Sequence, residues 1–274
     1  MIRDSCIFFL QPWSPPFESK TGVFTPPSES LPLPRGSPYL HSTKFLNCIQ
    51  PTMEEGPMTD DVLQSIFTSD QDMYPAPLTF ERLRTWVAAR PDLSRCFYIP
   101  RSGSGHGEDI LQPAGVIIVL PVEGKFWQNL LNGSLKETEI DAATMFPCDS
   151  DSGVEVGLHV FHLEKFERRV RGFAHAALRS VLEVAEKTWK VLGCSALTAT
   201  ADGRRCFEGM RFEPTGYEEF WIARNDGVEL VTVIPGGNRT GRDEEDSSIK
   251  ARAQMVVRYS PTTHSYPSCP PDFS

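Results

Sequence analysis

Val154-Glu155-Val156-Gly157-Leu158-His159-Val160-Phe161-His162-Leu163 and, six residues on, Arg169-Val170-Arg171-Gly172-Phe173-Ala174 are the stretches whose reading decides the fold. The first is rich in β-branched and aromatic residues, has no proline and holds a single glycine, so it reads as a β-strand. After the second, Phe173, Ala177, Val181, Val184 and Thr188 follow helical spacing. Ala174, Leu178, Leu182, Ala185 and Trp189 fill the adjoining stripe. A strand that turns at a glycine into a helix leaves the first helical N–H groups without partners. With the positive end of the helix dipole, they form an anion cradle. Gly172 removes a Cβ where a ligand would approach, and Arg169 and Arg171 add positive charge at the same end. An ordinary strand–helix turn with solvated arginines has the same spacing. Neither G-x-x-x-x-G-K-[ST] nor G-x-G-x-x-G occurs, so two common phosphate-binding fingerprints are absent.

Composition narrows the class. The 274 residues are enough for one large domain or two small ones, and 40 % of them are apolar. No apolar run approaches the roughly 18 residues of a membrane span, and Cys6-Ile7-Phe8-Phe9-Leu10 is too short for a signal-peptide core. A cytoplasmic or nuclear location is therefore expected. Seven cysteines, scattered without C-x-x-C pairs, fit reduced thiols and offer no metal site. The formal charge of −9 disfavours a nucleic-acid partner and suits a cationic one such as an amine. Acidic residues gather at Glu137, Glu139, Asp141, Asp149, Asp151 and Glu155, which reads first as a solvated acidic loop.

Around the central unit the chain divides readily. Residues 1–52 read as a disordered Pro/Ser-rich extension, with eight prolines in the first fifty positions. A folded domain is expected over 53–260, with a polar loop at 235–250 and a disordered tail at 261–274. Thr59, followed by Asp60 and Asp61, caps a helix carrying Val62, Leu63, Ile66 and Phe67. Thr79 caps a second helix built on Phe80, Leu83, Trp86 and Val87, ended by Pro91. Cys96–Ile99 and Ala114–Leu120 read as strands, and Phe126–Leu131 as a short helix. Ser195–Thr200 reads as a strand, Asp202–Met210 as a short helix, and Tyr217–Ala223 with Val228–Ile234 as a hairpin about Asn225-Asp226-Gly227. Ala253–Tyr259 reads as a last strand.

This order of elements resembles the GCN5-related N-acetyltransferases over about residues 59 to 235, extending toward 259. Two motifs carry the resemblance. Arg169, Gly172 and Ala174 match the family's [QR]-x-x-G-x-[GA] signature. Cys206-Phe207-Glu208-Gly209-Met210-Arg211-Phe212 looks like its short helix ending in F-Y-x-x-x-G-F. The resemblance implies an α/β (α+β) fold: a mixed central sheet with helices on both faces and a splayed pair of parallel strands, here Val154–Leu163 and Ser195–Thr200. It implies that acetyl-CoA, the acyl donor, lies in the splay. Leu163 and Lys165 would meet the pantetheine, the amides of Val170, Arg171, Gly172, Phe173 and Ala174 beside Arg169 would hold the pyrophosphate, and Phe207 would pack on the coenzyme.

Acetyl transfer to an amine needs a neutral amine, a polarised thioester and a proton for the leaving thiolate. Strict alternation puts Glu155, Gly157, His159, Phe161 and Leu163 on one face of the strand and Val156, Leu158, Val160 and His162 on the other. His159 is the foremost base candidate because imidazole titrates near neutral pH. The run Leu158–Leu163 resembles the arylalkylamine N-acetyltransferase branch, in which a histidine at this point serves the amine. Glu155 shares its face and is expected to orient it or to act through water, with His162 a weaker candidate. Two positions depart from the family pattern. Phe207 stands where a proton-donating Tyr is usual, and Arg211 stands where Gly precedes Phe212. The acid would then be water, Cys206, a shifted Tyr217 or nothing. The function expected is acetyl-CoA-dependent transfer to a primary amine of a small molecule or protein. The alternative is a catalytically weak or inactive acyl-CoA-binding module, and a scaffold acting through its Pro-rich arms is a third reading. Trp127 and Trp221 could line an acceptor pocket, and the segment Glu123 to Ser152 suggests a lid over it. No metal, nucleic-acid or membrane partner is expected, and oligomeric state is left open.

Overall fold

A computed structural model describes residues 52–73, 77–100, 111–148, 150, 153–224, 227–233 and 249–261. The extension up to residue 51, the tail from residue 262, most of the polar loop, and the Asn225-Asp226 turn lie outside the described residues.

Eight strands form one mixed sheet: β1 (Glu54–Pro57), β2 (Ser94–Pro100), β3 (Leu111–Glu123), β4 (Glu155–Lys165), β5 (Lys190–Thr198), β6 (Glu213–Arg224), β7 (Gly227–Val233) and β8 (Ile249–Tyr259). Their order is β1-β2-β3-β4-β5-β8-β6-β7, so the last strand is interior. Every neighbouring pair is antiparallel except β4 with β5. The helices are α1 (Asp60–Met73), α2 (Phe80–Ala89), α3 (Gly124–Asn132), α4 (Ala142–Met145), α5 (Phe173–Ala185) and α6 (Ala201–Gly209). The expected α/β architecture, a mixed sheet with helices on both faces, is present.

Local signals explain the element ends. Thr79 Oγ1 accepts the Arg82 amide at 3.2 Å and opens α2, and Thr59 Oγ1 accepts that of Val62 at 3.4 Å at the start of α1. β3 is buried on both faces, which is why Ala114-Gly115-Val116-Ile117-Ile118-Val119-Leu120 is continuously apolar rather than alternating. Its residues divide between two cores. Ile117 and Val119 join Val156, Leu158 and Val160 of β4 beneath α5, while Val116, Ile118 and Leu120 pack with Leu63, Trp86 and Trp127 under α1, α2 and α3.

Three expectations are corrected here. Helix α5 stops at Ala185 rather than running to Trp189, and β5 begins at Lys190, five residues before the expected start. The helix-like spacing persists because Trp189 remains buried after the turn, its ring beneath the Arg90 guanidinium at 4.5 Å. Cys206 is disulfide-bonded, against the expectation of reduced thiols, whereas Cys96, Cys148 and Cys194 are free.

The third correction concerns β4. Its pairing with β3 slips between Ile118 and Val119, which face His162 and Val160 and leave Phe161 as the extra residue of a bulge. An extra residue reverses the phase of the alternation. Leu163 therefore packs in the α5 core with Val160, opposite to the face on which strict alternation put it. His162 turns instead toward α1, where its Nδ1 lies 3.1 Å from Asp70 Oδ2.

Candidate active site

β4 and β5 pair from Glu155 opposite Lys190 as far as Val160 opposite Ala196, and there the pairing ends. β4 continues along β3 to Lys165, and β5 continues along β8 to Thr198. The strands thus part into a fork at the bulge. Beyond Val160, about 17 Å of β4 at the usual strand rise has no strand partner on its β5 side among the described residues. Such an edge can accept an extended ligand as a strand accepts a neighbour.

The cradle lies at the far end of this edge. Gly172 has φ +63°, a left-handed conformation that suits glycine, and a Cβ built on it would meet nothing within 4 Å. It stands at the N-terminus of α5 without a side-chain cap, and the Ala176 amide is the first of the helix to reach a backbone carbonyl, that of Gly172 at 3.1 Å. The Gly172, Phe173 and Ala174 amides have no backbone partner among the described residues. The Val170 amide does: it donates to Glu167 O at 3.2 Å, so it drops out of the expected set. Arg169 is exposed, and its guanidinium pairs with Glu167 at 3.1 Å, which holds that carboxyl below its ordinary range and offsets part of the positive charge. Lys165 is buried, its Nζ donating to Val170 O at 3.2 Å, so it braces the loop. From the cradle an open groove runs down α5 past His175, Ala176 and Arg179.

The other face of the fork is polar. His159, fully buried, is the last residue of β4 on that face before the bulge, and its strand neighbour is Ser195. His159 Nδ1 is 2.9 Å from Ser195 Oγ, and Nε2 is 2.7 Å from Glu137 Oε1. Trp127 Nε1 donates to the same Ser195 Oγ at 2.8 Å. Indole can only donate and a carboxylate can only accept. For a neutral imidazole the chain therefore runs one way, from Trp127 through Ser195 and His159 to Glu137. Trp127 reaches this position because Gly157 lacks a side chain: a Cβ there would lie 1.9 Å from the indole ring.

Glu137 opens a single 3₁₀ turn, Glu137–Glu139, that α2 holds down. Arg82 Nη1 donates to Thr138 O and Ile140 O at 3.1 Å each, and Trp86 Nε1 donates to Ile140 O at 3.0 Å. Next to it, Lys136 Nζ donates to Tyr217 Oη at 2.9 Å, and Tyr217 Oη donates to Glu219 Oε1 at 2.6 Å. Burial pushes the Glu137 carboxyl above its ordinary value, with Glu219 and Asp70 adding to the rise and His159 opposing it. Burial and then Glu219 raise the Tyr217 phenol, keeping it protonated, and burial lowers the Lys136 ammonium.

The expected site residues separate into three groups. His159 and the Gly172–Ala174 cradle lie at the two ends of one fork. Glu155 does not join them. It sits exposed at the opposite end of β4, paired with Lys190 at 2.7 Å, and Glu137 takes the orienting place expected of it. Leu163 and Phe207 are buried in the α5 core, where Phe207 meets Phe212 edge-on at 4.9 Å. Trp127 is core as well, so it lines no acceptor pocket. Sequence reading missed Glu137, Ser195 and Lys136. The cluster of acidic residues after α3 was the one available signal, and it read as a solvated loop.

No protein-family model and no curated protein sequence matches the chain. Among solved structures it is similar to Arabidopsis thaliana NAA60 in complex with a bisubstrate analogue, at 12 % identity and a TM-score of 0.45, over 76 % of this chain and 99 % of that one. The NAA60 complex with acetyl-CoA gives 14 % and 0.44 over 76 % and 98 %. Ard1 from Thermoplasma volcanium gives 12 % and 0.40 over 76 % and 97 %.

Proposed function

We propose that this chain is an acetyl-CoA-dependent N-acetyltransferase of the GCN5-related kind, transferring an acetyl group to a primary amine of a small molecule or a protein. The observation that carries the reading is the fork. The β4–β5 pairing stops at Val160 and Ala196, β4 runs on along β3 with its β5 side unpaired among the described residues, and a left-handed glycine with open space opens a helix at the end of that edge. A pyrophosphate at the Gly172–Ala174 amides would leave a pantetheine arm to follow β4 back toward Val160. The thioester would then lie beside the polar cluster around His159.

The chemistry available there suits direct attack by the amine. The cluster offers a carboxylate, an imidazole and a protonated phenol to handle protons. Coenzyme A leaves as a comparatively stable thiolate, so the absence of a phenol at Phe207 does not exclude turnover. Cys206, as a disulfide, supplies no proton. Leu163 would contribute backbone rather than side chain to the coenzyme, as would Phe173 and Ala174. A second reading, a module that binds acyl-CoA without turnover, is favoured by the enclosure of Phe207 in the core.

Calorimetric titration of acetyl-CoA into the full chain tests the reading. Binding is expected in the parent and is expected to be lost in Gly172→Glu, which sets a negative side chain in the open space at the cradle. Absence of binding by the well-folded parent would overturn both readings. Binding without thiol release on adding amines would leave only the second.

A further inference from the structure

His159 cannot meet an amine directly in this arrangement. It is fully buried, and both ring nitrogens already have partners, Ser195 Oγ on one side and Glu137 Oε1 on the other. Trp127 and Ser195 are equally enclosed. The chain from Trp127 to Glu137 comes to the surface only at its last member, whose side chain is 12 % exposed. Glu137 presents one oxygen, Oε1, to His159, and its second, Oε2, accepts no hydrogen bond among the described residues.

We propose that Glu137 is the catalytic base that meets a cationic primary amine at the fork, and that His159 behind it is a positioning residue. This rests on the acetyltransferase reading. The bound ammonium first gives one proton to Glu137 Oε2, which passes it to solvent and leaves a neutral nitrogen with a lone pair. That nitrogen attacks, and it passes a second proton to Glu137 Oε2 as its C–N bond to the acetyl carbon forms. The C–S bond breaks and coenzyme A leaves as thiolate, which takes a proton from water. Glu137 afterwards returns this second proton to solvent, so the ammonium loses two protons, the thiolate gains one, and the balance closes. His159 Nε2–H holds Oε1 throughout, so the open oxygen keeps one orientation, and Ser195 and Trp127 hold the ring.

Charges from every packed element suit this role. Glu219 and Tyr217 of β6, Asp70 of α1, and His159 of β4 face Glu137. Lys136 and Glu139 flank it in its own turn, and Arg82 of α2 grips the backbone beside it. Burial and the two carboxylates raise the Glu137 carboxyl above its ordinary value, and the carboxylates favour a cationic ligand over an anionic one.

The test uses the full chain, acetyl-CoA and methylamine, the smallest primary amine, with thiol release followed from about pH 5 to about pH 9. Glu137→Gln still accepts from His159, so it is expected to fold and to bind acetyl-CoA as the parent does. It should lose about 100-fold in thiol release and keep only the rise of rate with pH that deprotonation of methylamine itself supplies. His159→Leu removes the hydrogen bond that holds Glu137 down, so it should move that rise to higher pH with a smaller loss of rate. A Glu137→Gln variant with the parent's rate and pH profile overturns the proposal. A parent that binds acetyl-CoA but releases no thiol to methylamine also overturns it, leaving the binding-module reading standing. A parent that does not bind acetyl-CoA overturns the acetyltransferase reading itself.

Discussion

Arg211 has φ +66°, the one non-glycine residue with positive φ among those described. It follows α6, its amide bonded to Glu208 O at 2.9 Å, in the place where a helix end takes a left-handed residue, most often glycine. The resembling family has glycine at this position, so the departure seen in the sequence proves to be a departure in strain. Arg211→Gly is expected to stabilise the fold by about 1 kcal/mol, read as a raised midpoint in urea; a lowered midpoint would contradict the account. Gly157 is the opposite case. Its Cβ would meet Trp127 at 1.9 Å, so Gly157→Ala should cost about 3 kcal/mol and displace the indole from Ser195. Loss of stability with the Trp127 fluorescence unchanged would place the damage elsewhere. Both positions hold a residue whose meaning depends on a single contact or dihedral angle that no local pattern announces.

At the scale of elements, the bulge at Phe161 does more than bend a strand. It ends the β4–β5 pairing and turns His162 toward α1, where the imidazole lies between Asp70 at 3.1 Å and Glu164 at 3.3 Å. Burial opposes a charged ring there, but the two carboxylates outweigh it and raise the pKa from 6.5 to about 10. A group with a raised folded-state pKa stabilises fully below its unfolded pKa and loses the contribution as pH rises through the folded one. The stability gap between the parent and His162→Gln should therefore narrow as pH rises from about 6.5 to about 10. Chemical denaturation at several pH values measures it, and a constant gap would show that the pair does not clamp α1 to β4. The helices were legible because their signals are local, as Thr59 and Thr79 illustrate. The bulge was not, since the same ten residues satisfy strict alternation, and only pairing with β3 shows that one residue is extra.

For the whole molecule, the consequential feature is the place of β8. It lies between β5 and β6, opposing Gly193–Thr198 on one side and β6 from Glu213 to Ile222 on the other. Ending the chain at residue 248 would leave two interior strand edges open and strip Met255 and Val256 from the two cores. Such a chain is expected to lose its cooperative thermal transition and its near-ultraviolet dichroism, whereas retention of both would show that β8 is dispensable. The sequence by itself determined the strand–glycine–helix unit, the caps of α1 and α2 and the identity of His159, because each rests on neighbours a few positions apart. Only the tertiary structure decided that Glu137, 22 residues before His159, completes its hydrogen bonds, that Ser195 lies 36 residues beyond it at the fork, and that Glu155 is excluded. The physical reason is that a buried imidazole takes whatever partners the fold delivers to its two nitrogens. Delivery depends on strand register and on how α2 holds a distant turn, neither of which has a period or a motif in the chain.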